Sequence, residues 1–99
     1  MSYRGIVHYE TERIGPCNEV KTNIPFPVLP GSNLKDLLIE AEQVMEEYEQ
    51  GLDDPYKVEF FDEETEDLVL TIYREEGEWI REENGQEVYR SEDYMEILI

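Results

Sequence analysis

Asp36, Glu40 and Glu47 recur four and seven residues apart, and Glu63, Glu64 and Glu66 crowd into the run Asp62-Glu63-Glu64-Thr65-Glu66-Asp67. Carboxylates in such numbers could bind a cation, exchange protons or stand in for phosphates. The run lacks the spaced oxygen ligands and central glycine of a calcium loop, so no metal is expected. Adjacent pairs such as Glu75-Glu76 are too common in this composition to specify acid–base chemistry. The phosphate reading fits the spacing better. On a helix rising 1.5 Å per residue, Glu40 and Glu47 lie roughly 10 Å apart. Phosphates on one duplex strand follow one another at about 3.4 Å of rise, and a helix row joined by acidic turns approaches that density. Tyr73 and Trp79 are the aromatic candidates for anchoring a partner beside these acids.

The charge is unevenly placed. Of 99 residues, 26 are acidic and 8 basic, a net of −18. Residues 1–35 hold three acids and four bases, a net of +1; residues 36–99 hold 23 acids and four bases, a net of −19. A halophile's general acid excess would not spare the first third of the chain. The magnitude also exceeds the roughly 2–8 that keeps a small domain in solution. Such a field repels anionic membranes and nucleic acid and attracts basic proteins from beyond contact range.

No constellation for catalysis accompanies the charge. His8 and Cys17 are single residues with no orienting third group, and one cysteine forms neither an intramolecular disulfide nor a cysteine-based zinc pattern. Gly31-Ser32-Asn33 reads as a capping turn, since the surrounding field opposes anions. No cofactor motif is present. The N-terminus has no apolar run behind a basic region, and no stretch approaches the ~18 apolar residues of a membrane span. A cytoplasmic protein is expected.

The elements that would position these residues follow from periodicity. Tyr3 to Tyr9 alternates as a strand, with Tyr3, Gly5, Val7 and Tyr9 on one face. Residues 15–31 carry four of the five prolines and read as a long, Pro-rich loop. From Asn33 to Gln50, Leu34, Leu37, Leu38, Ala41, Met45 and Tyr48 form an apolar helix stripe, capped by Ser32 or Asn33 and stopped by Gly51. The period then becomes two. Strands are expected over 56–61, 68–73, 78–82 and 86–90, the last two joined by the hairpin signal Asn84-Gly85. Residues 91–99 fit a helix start at Ser91 or a final strand. The expected fold is a single α+β domain over 1–99: one amphipathic helix on a mostly antiparallel sheet of about five strands, β-α-β-β-β-β, in two layers. The helix stripe should meet Leu68, Leu70, Ile72 and Ile80.

The composition therefore points to a non-enzymatic acidic binding protein, an inhibitor or decoy mimicking nucleic-acid charge against a basic nucleic-acid-binding partner. Proteins that block restriction or CRISPR enzymes share this charge character. The alternative is an interaction subunit or adaptor that binds through the Pro-rich segment or the open sheet face, its acidity serving only solubility. Either way the folded state is opposed by self-repulsion. Raising salt from about 10 to about 150 mM shortens the Debye length from about 30 to about 8 Å, so the melting temperature should rise over that range. A flat profile by differential scanning calorimetry would mean that the acids are already paired internally.

Overall fold

The computed structural model describes residues 2–12, 19–50 and 53–98. Strand alternation is realised in six strands: β1 (Tyr3–Glu12), β2 (Glu19–Pro27), β3 (Asp53–Asp62), β4 (Leu68–Glu75), β5 (Glu78–Glu83) and β6 (Gln86–Ser91). They form one antiparallel sheet in the order β2-β1-β3-β4-β5-β6. Helix α1 (Leu34–Gln50) carries the chain from β2 across β1 to β3, and the short α2 (Tyr94–Ile97) follows β6. The α+β class with one main helix on an antiparallel sheet is as expected; the order of elements gains a strand.

That strand is β2, which occupies much of the segment expected to be loop. Pro25 and Pro27 are paired with Ile6 and Arg4 of β1. Proline withholds its N–H from the ladder, but on an edge strand every second N–H points to solvent and its loss breaks no pairing. The two prolines are two residues apart at an edge, where the sheet tolerates them. Residues 13–18, including Cys17, lie outside the described residues.

Helix α1 begins at a reciprocal cap. The Asp36 backbone N–H donates to Asn33 Oδ1 at 3.0 Å, and the Asn33 N–H donates to Asp36 Oδ2 at 3.0 Å, satisfying two donors that a helix start otherwise leaves orphaned. Its buried stripe is Leu37, Leu38, Ala41, Val44 and Met45. Leu34 is 44% exposed, and the side chain of Tyr48 lies outside the described residues. The stripe packs on a sheet face built from Val7, Val58, Phe60, Leu70 and Ile72.

Two expected contacts are corrected by register. Ile80 is fully buried, but it pairs with Tyr73 and points to the face away from α1; Trp79, paired with Arg74, takes the core-side position. At the start of β4 an irregularity between Phe60 and Phe61 brings Val69, rather than Leu68, against the core. A one-residue phase change exchanges the two faces of a strand. The C-terminal segment resolves as helix, not strand: Asp93 caps α2 by accepting from the Met95 N–H at 3.0 Å, and Ile97 is buried in the core. The hairpin at Asn84-Gly85 forms with both residues at positive φ, 53° and 82°, the geometry of a tight type I′ turn.

Gly5 is the tightest point of the sheet. It pairs with Phe26 on one side and Phe60 on the other, and those two rings meet edge to face with centroids 5.7 Å apart. A Cβ on Gly5 would clash with the far edge of the Phe26 ring, well inside van der Waals contact. Gly5→Ala should therefore destabilise the fold by about 1–3 kcal/mol, lowering the melting temperature by about 4–8 °C per kcal/mol in a domain this small. Adding Phe26→Leu should recover part of the loss if the ring is its cause; an additive double variant would show that it is not.

Candidate functional site

The acids nominated from sequence fall into two groups on the structure. Asp36, Glu40 and Glu47 lie in a row on the solvent side of α1, with Asp36 and Glu47 exposed and Glu40 half-buried. Glu63, Glu64 and Glu66 are all exposed in the turn between β3 and β4. This turn is fixed by its own backbone. The Asp62 N–H donates to the Asp67 carbonyl at 2.9 Å, the Glu66 N–H to the Asp62 carbonyl at 2.7 Å, and the Glu63 N–H to the Ser2 carbonyl at 3.0 Å. Asp62 Oδ1 also accepts from the Glu64 N–H at 2.8 Å. Three glutamates are thus held on an ordered frame.

The turn sits at the end of the sheet where α1 begins, since Leu34 and Asp62 border the same hollow. Asp36 and Glu40 are near that end, and Glu47 stands roughly 10 Å further along the helix axis. The aromatic candidates lie elsewhere. Trp79 is only 8% exposed, packed into the core beneath Arg74 and edge-on to Tyr94. Tyr73 is half-buried on the sheet face opposite α1. Neither stands beside the acids on α1.

The four bases of residues 36–99 are occupied within the fold. Arg74 pairs with Asp54 at 2.8 Å, and Arg90 with Glu87 at 2.7 Å and Glu78 at 3.6 Å. Lys57 reaches Glu59 at 3.8 Å, while Arg81 donates to the Ile97 carbonyl at 2.8 Å. The Arg90 guanidinium lowers the Glu87 carboxyl below its usual range, and Glu87 in turn raises Arg90. Among the described residues, Glu40, Glu47, Glu63, Glu64 and Glu66 have no ion-pair partner. Their charge is left to the solvent.

Two features escaped sequence reading. His8, expected to be incidental, contacts Glu59 Oε1 at 2.5 Å on the face opposite α1; strand alternation put both there, but only the register brings them together. The second is the hollow flanking the start of α1, walled by Asp62 and Glu83. Glu83 shares the face of Trp79 by period two, a signal available once the phase of β5 is known. No group of three or more metal-ligating side chains occurs among the described residues. No helix among them is long and apolar enough to cross a membrane. No protein-family model, curated protein or solved structure matches the chain.

The Tyr73 hydroxyl donates to Glu82 Oε2 at 2.8 Å, and this bond is the main cause that pushes its pKa from 10.0 up to about 12, with desolvation adding to it. Ionising Tyr73 would set a phenolate against a carboxylate. Because the folded pKa lies above the unfolded one, the stabilisation is complete below pH 10.0 and is lost as pH rises toward 12. In urea titrations, the stability advantage of wild type over Tyr73→Phe should stay constant up to about pH 9 and shrink above pH 10. An advantage independent of pH across that window would rule the bond out.

Proposed function

We propose that this chain is a non-enzymatic acidic binding protein that occupies the basic cleft of a nucleic-acid-binding partner, its carboxylates standing where phosphates would. One observation carries the reading: Glu40, Glu47, Glu63, Glu64 and Glu66 are held on a helix and a backbone-locked turn, with no ion-pair partner among the described residues. Ordinary solubility needs neither that density nor an ordered frame. A folded array of anions costs little conformational entropy on binding, because its positions are set beforehand. Complementary charge makes association fast and steeply dependent on salt. Tyr73, on the opposite sheet face, would contact a partner only if that partner reaches around the sheet, and Trp79, buried in the core, offers it no anchor.

The competing adaptor reading places the contact at the segment Ile24–Leu29. Phe26 belongs to the core packing over Gly5, so truncating it would test the fold rather than binding. Leu29 is 79% exposed and gives the clean comparison.

The test is capture from lysate at low salt, elution by a salt gradient and identification by mass spectrometry. Release of a basic nucleic-acid-binding protein by salt is expected. Reversing Glu40 and Glu47 to lysine should weaken that partner by at least about tenfold, as desolvated charge pairs at interfaces do. The same reversal at Glu10 and Glu12, or Leu29→Ala, should change affinity by less than about threefold. Equal loss from both charge reversals, or a salt-resistant partner lost with Leu29→Ala, would replace this reading with the adaptor.

A further inference from the structure

At the end of the sheet where α1 starts, a hollow of about 380 Å³ opens between the helix and the strands. Tyr3, Leu34, Leu37 and Val69 give it apolar walls, and Asp62 and Glu83 bring two carboxylates to it. It lies at the small end of ligand sites, which run roughly 300–1,000 Å³, with room for a side chain rather than a cofactor. Leu34 stays 44% exposed although it sits in the first turn of an otherwise well-buried stripe. Asp62 is held in place because one of its oxygens accepts from the turn N–H groups of Glu64 and Thr65. Its other oxygen, like the Glu83 carboxylate, has no partner among the described residues. Glu63, Glu64 and Glu66 follow directly on Asp62.

We infer that this hollow receives an arginine side chain of the basic partner. The inference rests on the reading above that the partner is basic, and it adds where that partner is anchored. An arginine stem is apolar and packs along surfaces such as Leu34 and Val69 while its head stays polar. The guanidinium fork has donors enough for two carboxylates at once, and it is less strongly hydrated than an ammonium. The neighbouring hollow of about 310 Å³, bordered by Leu29, Ile39, Asp36 and Glu40, is less suited to that chemistry. There one Asp36 oxygen caps α1, as one Asp62 oxygen holds its turn, but the apolar wall is more open, with Leu29 79% and Ile39 45% exposed where the hollow at Asp62 has the buried Leu37. Burying a long side chain also requires a fixed wall, and the hollow at Asp62 has one in the locked turn.

The experiment titrates the full chain with a peptide of four Arg-Gly repeats at about 100 mM salt. Calorimetry reads affinity, and methyl NMR reads position at Leu34, Leu37 and Val69. Saturable shifts at those methyls are expected. Leu34→Ser combined with Glu83→Gln should lower affinity at least about tenfold, the scale of one lost charge-assisted contact. Glu75→Gln with Glu76→Gln, two exposed acids at the other end of the sheet, removes more charge and should lower it by less than about threefold. Leu34 is largely outside the core, and Glu83→Gln alone, with an unchanged melting temperature, guards against misfolding. Binding that leaves the methyls unmoved, or equal losses in the two double variants, would overturn the hollow while leaving a basic partner in place. A peptide of four Lys-Gly repeats bound as tightly would overturn the assignment to arginine. No binding by either peptide would overturn the basic-partner reading itself.

Discussion

Leu37, Ala41, Val44 and Met45 of α1 lie over Val7, Val58, Phe60, Leu70 and Ile72 of the sheet, and this single apolar contact opposes the mutual repulsion of a chain with a net charge of −18. Nothing else in the described structure is large enough to do so. The ion pairs are exposed or half-exposed and few, and pairs of that kind contribute about 0–1 kcal/mol each. Burial must therefore be efficient. The close approach of Phe26 over Gly5 and the use of Trp79 and Ile97 to extend the core toward β5 both serve that end.

The same constraint decides where the acids go. A one-helix, one-sheet sandwich leaves three kinds of surface: the outer helix face, the turns, and the sheet face away from the helix. The sheet face brings side chains close across neighbouring strands, and like charges placed directly opposite each other are destabilising there. Glu75 faces Glu78 and Glu82 faces Glu87 across its strands, and most of its acids are tied to a donor: Glu59 to His8 and Lys57, Glu82 to Tyr73, and Glu78 and Glu87 to Arg90. The helix exterior and the turn at 62–67 project into water, where screening is strongest, and there the described acids have no ion-pair partner among the described residues. Charge that the fold can tolerate unpaired is thus concentrated on the surfaces a partner would meet first.

How much of this was legible in the sequence varied with the length scale of the signal. The helix, the Asn84-Gly85 hairpin and the alternation of β1 depend on neighbours within a few residues, and all three are present. Strand β2 was hidden because Pro25 and Pro27 read as breakers until their place at a sheet edge is known, and edge position is a property of the whole topology. The faces of Trp79 and Ile80 were exchanged for a similar reason: alternation gives two sets of residues, and only pairing with β4 says which set meets the helix. The acids of the candidate site were plain from composition. Their grouping was not, since it takes the antiparallel order of the strands to bring Asp62 and Glu83 to the start of α1.

An array of exposed carboxylates and an apolar hollow bring different properties to an interface, and their adjacency has a physical logic. Long-range charge raises the encounter rate and excludes partners of the wrong sign, but each exposed pair adds little to residence time once salt screens it. A hollow with an apolar wall adds contact area to a seated side chain, a contribution that salt screening does not weaken. A surface with the array alone would hold any polycation weakly; one with the hollow alone would meet its partner slowly. The turn at 62–67 joins the two, since the backbone bonds that hold Glu63, Glu64 and Glu66 outward also fix Asp62 at the wall of the hollow. Loosening that turn would therefore release both the outward glutamates and the wall at Asp62.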